Sequence, residues 1–306
     1  MTRVDLVTGF LGAGKTTFIH RYLRHLGDQR VLIIENEFGS VGVDACFLRG
    51  DDRPIEDLSG VCMCCRGRDR FVAMLVNAAA QGFDRVLVEP SGIYDVDEFF
   101  GVMNEPAVRE CCQIGSVLAI VDTHVPETVS DETGYLMVTQ LLAAGAVILS
   151  KSQLEDADAP RRTVAWLNGL IRDYGGERVL GGDVCAKDWD ALTEADFDRF
   201  MGCGFRHDAH RHEALDHSEI YDTFFTGGVC DGEADLRDRL ARMMSDPRYG
   251  SILRVKGYLR DGDRNWYEVN CTRRELSVVP APNVRRGVLV FIGQDLDTEA
   301  LQSAFQ

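Results

Sequence analysis

The residues with the clearest chemical potential lie near the amino end of the chain. The segment Gly9-Phe10-Leu11-Gly12-Ala13-Gly14-Lys15-Thr16 matches the pattern G-x-x-x-x-G-K-[S/T]. It follows a predicted strand at Arg3–Val7 and opens a predicted helix at Thr16–Leu26. The glycines let backbone N–H groups surround phosphate oxygens, and the start of the helix favours negative charge. The pattern therefore predicts a phosphate site for a nucleoside triphosphate, which we call the P-loop.

Two side chains of the P-loop have separate expected tasks. Lys15 would neutralise the β- and γ-phosphates, and the hydroxyl group of Thr16 would bind Mg²⁺. The residues expected to contact the nucleotide here are Gly9, Gly12, Ala13, Gly14, Lys15, Thr16 and Thr17.

Carboxylates that follow neighbouring strands are candidates for the surroundings of Mg²⁺ and of an attacking water. Glu89 ends the predicted strand Arg85–Glu89, and it is followed by Gly92, which would let the chain approach the γ-phosphate. Glu35 and Glu37 lie after the preceding strand, on a loop suited to sensing the γ-phosphate. An ordinary strand end, or a solvated surface acid, explains each of these residues equally well.

A second group of chemically active residues is the thiol motif, which we define as Cys62, Cys64 and Cys65. Three thiolates so close together repel one another unless they are protonated or share a soft cation. Zinc is the natural occupant, with cobalt as the alternative. Buried inert cysteines and a redox-sensing thiol pair are the competing interpretations.

Histidines provide a weaker candidate metal site. His207, His210 and His212 lie close together in a polar stretch that also contains His217. Such a tract suggests metal binding by composition alone, and a solvated loop between domains explains it equally well.

The elements that must position these residues alternate between strand and helix in the first half of the chain. This alternation predicts an α/β domain whose mostly parallel sheet is flanked by helices. The later strands follow one another and predict a small α+β domain with a mostly antiparallel sheet. The expected division is a nucleotide-binding domain at residues 1–204, a histidine-containing linker at 205–217 and a C-terminal domain at 218–306.

Composition excludes several classes of protein. The formal net charge of −16 and the lack of a dense basic face argue against a nucleic-acid partner. No apolar run reaches the roughly 18 residues of a membrane span. Ten cysteines, with no apparent leader before the P-loop, predict reduced thiols and a cytoplasmic location.

Taken together, the motifs resemble one known family. Thr8–Thr17, Glu35-Asn36-Glu37-Phe38-Gly39, the thiol motif and Glu89-Pro90-Ser91-Gly92 occur in that order. This arrangement resembles the CobW-like P-loop GTPases, which are relatives of the nickel-inserting GTPases for urease and hydrogenase. The ending, which includes Gly287–Gly293, looks like the C-terminal domain of that family.

The resemblance implies a metallochaperone or metalloenzyme activator whose GTP cycle gates metal binding and release to an unidentified client metalloenzyme. It implies that Lys15 and Thr16 contact phosphate and Mg²⁺. Glu37 and Glu89 would be acids near Mg²⁺ or the attacking water, with Glu37 also a candidate ligand of the transition metal. The thiol motif would bind that metal. The sequence is compatible with a homodimer.

One element departs from the family pattern. The base-recognition sequence Asn/Thr-Lys-x-Asp is replaced by Ser150-Lys151-Ser152-Gln153. Lys151 is still suited to pack along the base, but the amide of Gln153 has one acceptor group where a carboxylate accepts two hydrogen bonds from guanine. Losing one charged hydrogen bond costs about 1.5–3 kcal/mol, or roughly 10- to 150-fold in affinity. We therefore expect a weakened preference for GTP, with use of ATP or another nucleotide as an alternative.

Two other functions are compatible with the same motifs. The first is a small-molecule kinase that uses the P-loop, although no arginine-rich lid is evident in the sequence. The second is an interaction module in which the thiol motif senses oxidants.

Overall fold

The computed structural model describes residues 1–35, 67–124, 129–206, 221–262, 265–281, 284 and 287–305, and the backbone of 55–57. Several predicted site residues lie outside these ranges: Glu37, Cys62, Cys64, Cys65, His207, His210 and His212. The described residues up to 206 form one compact unit, and those from 221 onward form another.

The described part of the first unit contains a seven-stranded sheet whose neighbouring strands are all parallel. Its strands are β1 (Thr2–Thr8), β2 (Val31–Glu35), β3 (Ile55–Asp57), β4 (Arg85–Glu89), β5 (Cys112–Asp122), β6 (Ala146–Ser150) and β7 (Val184–Cys185). The order across the sheet is β3-β2-β4-β1-β5-β6-β7. The helices are α1 (Lys15–Arg24), α2 (Arg68–Ala80), α3 (Val96–Met103), α4 (Pro106–Arg109), α5 (Asp131–Ala143), α6 (Ala159–Asp173) and α7 (Glu194–Met201).

The sheet is apolar on both faces because helices cover both. Leu32 belongs to a core cluster shared with α2, α3, α5 and α6, whereas its neighbour Ile33 belongs to a cluster shared with α1 and α7. Alternate residues of a strand point to opposite faces, so a strand covered twice must be apolar along its whole length. This requirement explains the continuous runs of Val, Ile and Leu in β2 and β4.

A buried polar group fixes the centre of this sheet. The carboxylate of Asp5 in β1 accepts hydrogen bonds from the hydroxyl of Tyr22 at 3.0 Å and from the backbone N–H of Ser116 at 2.8 Å. It also forms an ion pair with Arg85, whose side chain is 4% exposed, while that of Asp5 is fully buried. Because a buried charge is costly unless it is paired and hydrogen-bonded, these contacts tie β1 to α1, β4 and β5.

The second unit is a smaller, mostly antiparallel sheet. Its strands are β8 (Asp222–Thr226), β9 (Val229–Cys230), β10 (Ser251–Asp261), β11 (Trp266–Thr272), β12 (Leu276–Pro280) and β13 (Leu289–Gln294), and its helices are α8 (Glu233–Met243) and α9 (Thr298–Ser303). The order is β12-β11-β10-β13-β8, with antiparallel neighbours, and β9 pairs in parallel with β10. The predicted fold class is confirmed for both units.

Some predicted elements differ from the observed ones. The single helix expected over Asp95–Cys111 is two helices, α3 and α4. Proline disfavours the helical conformation of the residue before it, and Glu105, which precedes Pro106, is accordingly extended at φ −60° and ψ 134°. The short strand β7 and the helix α7 were not predicted. Among the described residues, no helix combines the length and apolar character needed to cross a membrane.

Candidate functional site

The P-loop runs from the end of β1 to the start of α1. Gly9 has a φ of +146°, and a Cβ atom on it would lie 2.2 Å from the carbonyl oxygen of Ile120 in β5. Both observations require glycine at this position, because no side chain fits there and few residues adopt this φ. The P-loop backbone can therefore lie directly against the backbone of β5.

Helix α1 presents an anion-binding end. No acidic residue occupies its first turn, and Arg21 and Arg24 lie in its last turn, which matches the polarity of the helix dipole. Lys15, the first residue of the helix, is only 6% exposed, and its ammonium group donates to the carbonyl oxygen of Gly9 at 2.9 Å. A buried lysine positioned by a P-loop carbonyl is suited to exchange that contact for phosphate oxygens.

Thr16 and Glu89 lie together, as a magnesium site would require. The hydroxyl of Thr16 donates to Oε1 of Glu89 at 2.8 Å, and Glu89 is 6% exposed at the end of β4. Hydroxyl and carboxylate oxygens are ligands that Mg²⁺ accepts, directly or through water. These residues therefore fit the predicted ion, which would supply positive charge against the phosphates when bound.

The segment after Glu89 approaches the P-loop closely. A Cβ atom on Gly92 would lie 2.4 Å from the backbone nitrogen of Leu11 and 2.8 Å from the carbonyl carbon of Phe10. The side-chain amide of Gln140 in α5 donates to the Gly92 carbonyl oxygen at 3.3 Å. Backbone thus packs directly on backbone at Gly92, and the predicted approach of this glycine to the γ-phosphate stays a prediction.

The segment predicted to recognise the base follows β6 at the same edge of the sheet. Lys151 has a φ of +57°, and its Nζ atom lies 3.1 Å from Oδ2 of Asp122, at the end of β5. Gln153 lies in a short 3-10 helix of one turn, Ser152–Leu154, and its side chain is exposed. The structure thus brings Lys151 and Gln153 to the edge that also carries the P-loop.

Two residues near the site were missed by the sequence argument. Trp189 lies beyond β7, and its indole N–H donates to the carbonyl oxygen of Leu149 at 2.8 Å. It was missed because β7 has only two residues and shows no apolar run. Asp122 was also missed, although an acid directly after the predicted strand Ser116–Val121 is a signal of the kind that identified Glu89.

The metal-binding predictions stay predictions. The thiol motif, Glu37, and the histidines at 207, 210 and 212 all lie outside the described residues. Within the ranges that the structure describes, no group of three or more His, Cys, Asp or Glu side chains could hold a metal ion.

Comparison with known proteins identifies both units. Residues 3–172 match the family model described as "CobW/HypB/UreG, nucleotide-binding domain". Residues 230–306 match the model described as "Cobalamin synthesis protein cobW C-terminal domain". These models cover most of the P-loop unit, though not β7 or α7, and most of the antiparallel unit.

Individual relatives are similar at moderate identity. The chain is 29% identical over 182 residues to the zinc chaperone YeiR of Escherichia coli. This alignment covers 59% of this chain and 54% of YeiR. The chain is 27% identical over 297 residues to the zinc chaperone CobW of Sinorhizobium sp, which covers 83% and 80% of the two chains. The chain thus spans about half the length of YeiR and most of that CobW protein.

The crystal structure of Zn(II)-bound YjiA GTPase from E. coli aligns with 99% of this chain and 98% of its own, at 20% identity and a TM-score of 0.39. Family membership is shown by the sequence matches of residues 3–172 and 230–306. These matches agree with the order of P-loop, Glu89 segment and C-terminal domain described above. The chain therefore belongs to the CobW family, with a CobW/HypB/UreG nucleotide-binding domain followed by a CobW C-terminal domain.

Proposed function

We propose that this protein is a nucleotide-gated metallochaperone. It binds and hydrolyses GTP with Mg²⁺ at the P-loop, carries zinc at Cys62, Cys64 and Cys65, and delivers the metal to a client protein in a reducing compartment. Cobalt is the alternative cargo. We further propose that the nucleotide-binding domain ends at residue 204 and that the C-terminal domain begins at residue 218. The histidines of the linker between them would be a weaker site for holding the metal.

One observation carries this proposal: the two strands that precede Glu37 and the thiol motif, β2 and β3, end at the edge of the parallel sheet that carries the P-loop. Glu35, the last residue of β2, lies opposite Glu89 in the parallel ladder between β2 and β4. Glu89 in turn accepts the hydroxyl hydrogen bond of Thr16. Asp57, the last residue of β3, lies opposite Glu35. Glu37 therefore follows a strand two positions from β1 in the sheet, and the thiol motif follows β3, the next strand outward, at the same edge.

Gating has a physical basis because the strands that lead to the nucleotide site and to the thiol motif end at the same edge of the sheet. A bound triphosphate offers γ-phosphate oxygens near Gly92 and the start of the segment that follows Glu35, whereas a diphosphate does not. A segment that makes contacts in only one nucleotide state has two conformations of different energy, and ligands that prefer one of them shift the population. Metal affinity then depends on the nucleotide.

The proposal assigns the chemistry at the P-loop to residues that the structure describes. Lys15 exchanges the carbonyl of Gly9 for phosphate oxygens and neutralises their charge. Thr16 and Glu89 would hold Mg²⁺, directly or through water. Gly92 and Glu89 border the position of the attacking water, so their placement decides the rate of hydrolysis.

The names of the relatives support zinc as the cargo. YeiR of E. coli and CobW of Sinorhizobium sp are each named a zinc chaperone, and a Schizosaccharomyces pombe relative is named a zinc-regulated GTPase metalloprotein activator. We also propose an unidentified client metalloenzyme and a homodimeric state for this chain.

Metal analysis and nucleotide binding of purified variants test the proposal. We expect wild-type protein to contain zinc, to bind GTP and to hydrolyse it. Lys15→Ala should lose nucleotide and keep zinc, whereas Cys64→Ser should lose zinc and keep nucleotide. A phosphorylated small molecule as the product, in place of free phosphate, would identify a kinase instead. Reversible oxidation of the thiols, with no zinc bound, would identify a redox module.

A further inference from the structure

Gly14 of the P-loop lies close to Ser150, where the segment predicted to recognise the base begins. A Cβ atom on Gly14 would lie 3.9 Å from the Cβ atom of Ser150 and 3.3 Å from the ring atom Cη2 of Trp189. Strands β1, β5 and β6 are also neighbours in one parallel sheet, so their carboxyl ends share an edge. A nucleotide whose phosphates lie in the P-loop therefore has its base within reach of the residues that follow Ser150.

The backbone that carries Gln153 is held firmly at this edge. Thr123 donates two hydrogen bonds to the carbonyl oxygen of Ser150, from its N–H at 3.0 Å and from its hydroxyl at 2.6 Å. Lys151 is engaged with Asp122 across the same strand ends. Gln153, exposed in the turn that follows, is thus an amide presented on a fixed backbone.

The hydrogen-bonding pattern of an amide differs from that of a carboxylate. A glutamine presents one carbonyl acceptor beside one NH₂ donor, whereas a carboxylate presents two acceptors. The edge of a 6-oxopurine places the N1–H donor next to the substituent on C2. That substituent is an amino donor in guanine, a hydrogen atom in hypoxanthine and a carbonyl acceptor in xanthine.

With its carbonyl on N1–H, the amide of Gln153 turns its NH₂ group toward C2. There it opposes another donor in guanine, meets no polar group in hypoxanthine and donates to the carbonyl in xanthine. We infer that Gln153 offers the 2-amino group of guanine no acceptor, so that ITP and XTP bind at least as well as GTP. This inference rests on the proposed function, and it specifies which edge of the base the site reads.

The test measures the dissociation constants of GTP, ITP and XTP with Mg²⁺, by calorimetry on the full chain and on Gln153→Asp. The readout is the ratio of two constants within one preparation, so an inactive fraction does not change it. In the wild type we expect GTP and ITP to agree within about 3-fold, and XTP to bind at least as tightly. In Gln153→Asp we expect GTP to exceed ITP by about 10-fold or more, with XTP the weakest.

Three results would overturn the inference. The first is a wild-type protein that prefers GTP to ITP by about 10-fold or more. The second is a ratio that Gln153→Asp leaves unchanged. The third is a preference for GTP that Glu155→Gln abolishes, because Glu155 would then be the acid that reads the 2-amino group. If none of the three nucleotides binds, the proposed function itself is refuted, and this inference with it.

Discussion

Substituting Gly92 tests whether the contact between the Glu89 segment and the P-loop is required for hydrolysis. The backbone of Gly92 lies outside the left-handed region, so an alanine is compatible with its dihedral angles. Any effect of Gly92→Ala therefore comes from the added methyl group. That group would lie 2.4 Å from the backbone nitrogen of Leu11, an atom that cannot rotate away as a side chain can.

The size of the effect follows from this distance. Non-bonded heavy atoms are most stable at about 3.5 Å or more, so the two backbones must separate by about 1 Å. A misplacement of about 1 Å near reacting groups can cost on the order of 100-fold in rate. We expect Gly92→Ala to lower single-turnover GTP hydrolysis by roughly 30- to 100-fold. The affinity for GDP should change little, because the proposed function puts this segment beside the γ-phosphate, which GDP lacks.

The matched control is Gly182→Ala, in which the added Cβ atom meets nothing within 4 Å. Both variants and the wild type should be compared by single-turnover phosphate release, together with the affinities for GTP and GDP. A Gly92→Ala variant that hydrolyses GTP within about 2-fold of the wild type would refute the reasoning. Equal losses in both variants would refute it as well.

Three further predictions concern the stability of the fold and a fluorescence signal of nucleotide binding. Arg85→Met leaves the carboxylate of Asp5 buried without its ion pair and should cost about 3–5 kcal/mol in the free energy of unfolding, measured with urea. A hydrogen bond from Lys187 lowers the pKa of Asp196 to about 2. Because this pKa is lower in the folded than in the unfolded state, the ionised carboxylate stabilises the fold. The free energy of unfolding should exceed that of Asp196→Asn by about 1 kcal/mol after solvent screening. This difference should be complete above about pH 4 and vanish as the pH falls toward 2. The ring of Trp189 lies next to Gly14 of the P-loop and against Phe18 of α1. Nucleotide binding should therefore change the tryptophan fluorescence of the wild type, and Trp189→Phe should remove most of that change.

The parallel sheet was predictable because its strands leave a strong signature. Strands covered by helices on both faces read as short apolar runs, and Val31–Glu35 and Arg85–Glu89 are such runs. The P-loop was equally predictable, because the glycine spacing reflects a backbone requirement that Gly9 shows directly. These features are local, so the sequence carries them without knowledge of distant contacts.

The features that sequence reasoning missed depend on contacts between distant segments. Strand β7 is two residues long and exists because it pairs with β6. Trp189 lies near the P-loop only because that pairing returns the chain to the nucleotide edge. The hydrogen bond from Gln140 to the carbonyl of Gly92 joins residues 48 positions apart, and no spacing rule points to it.

The break between α3 and α4 was missed for a different reason. The apolar pattern continues through Asp95–Cys111, and it outweighed the local signal at Pro106. The extended conformation of Glu105 shows that the restriction imposed by proline determines the boundary there.

The central claim is that nucleotide state controls zinc affinity, and one titration tests it directly. The dissociation constant for zinc should be measured on the full chain, by competition with a chromogenic chelator, once with Mg²⁺ and a non-hydrolysable GTP analogue and once with Mg²⁺ and GDP. Coupling between two sites in one protein typically changes affinity by about 5- to 150-fold, so we predict a difference of at least about 5-fold between the two states. Cys62→Ser should weaken zinc binding in both states. Equal zinc affinity of the wild type with the analogue and with GDP would contradict the account.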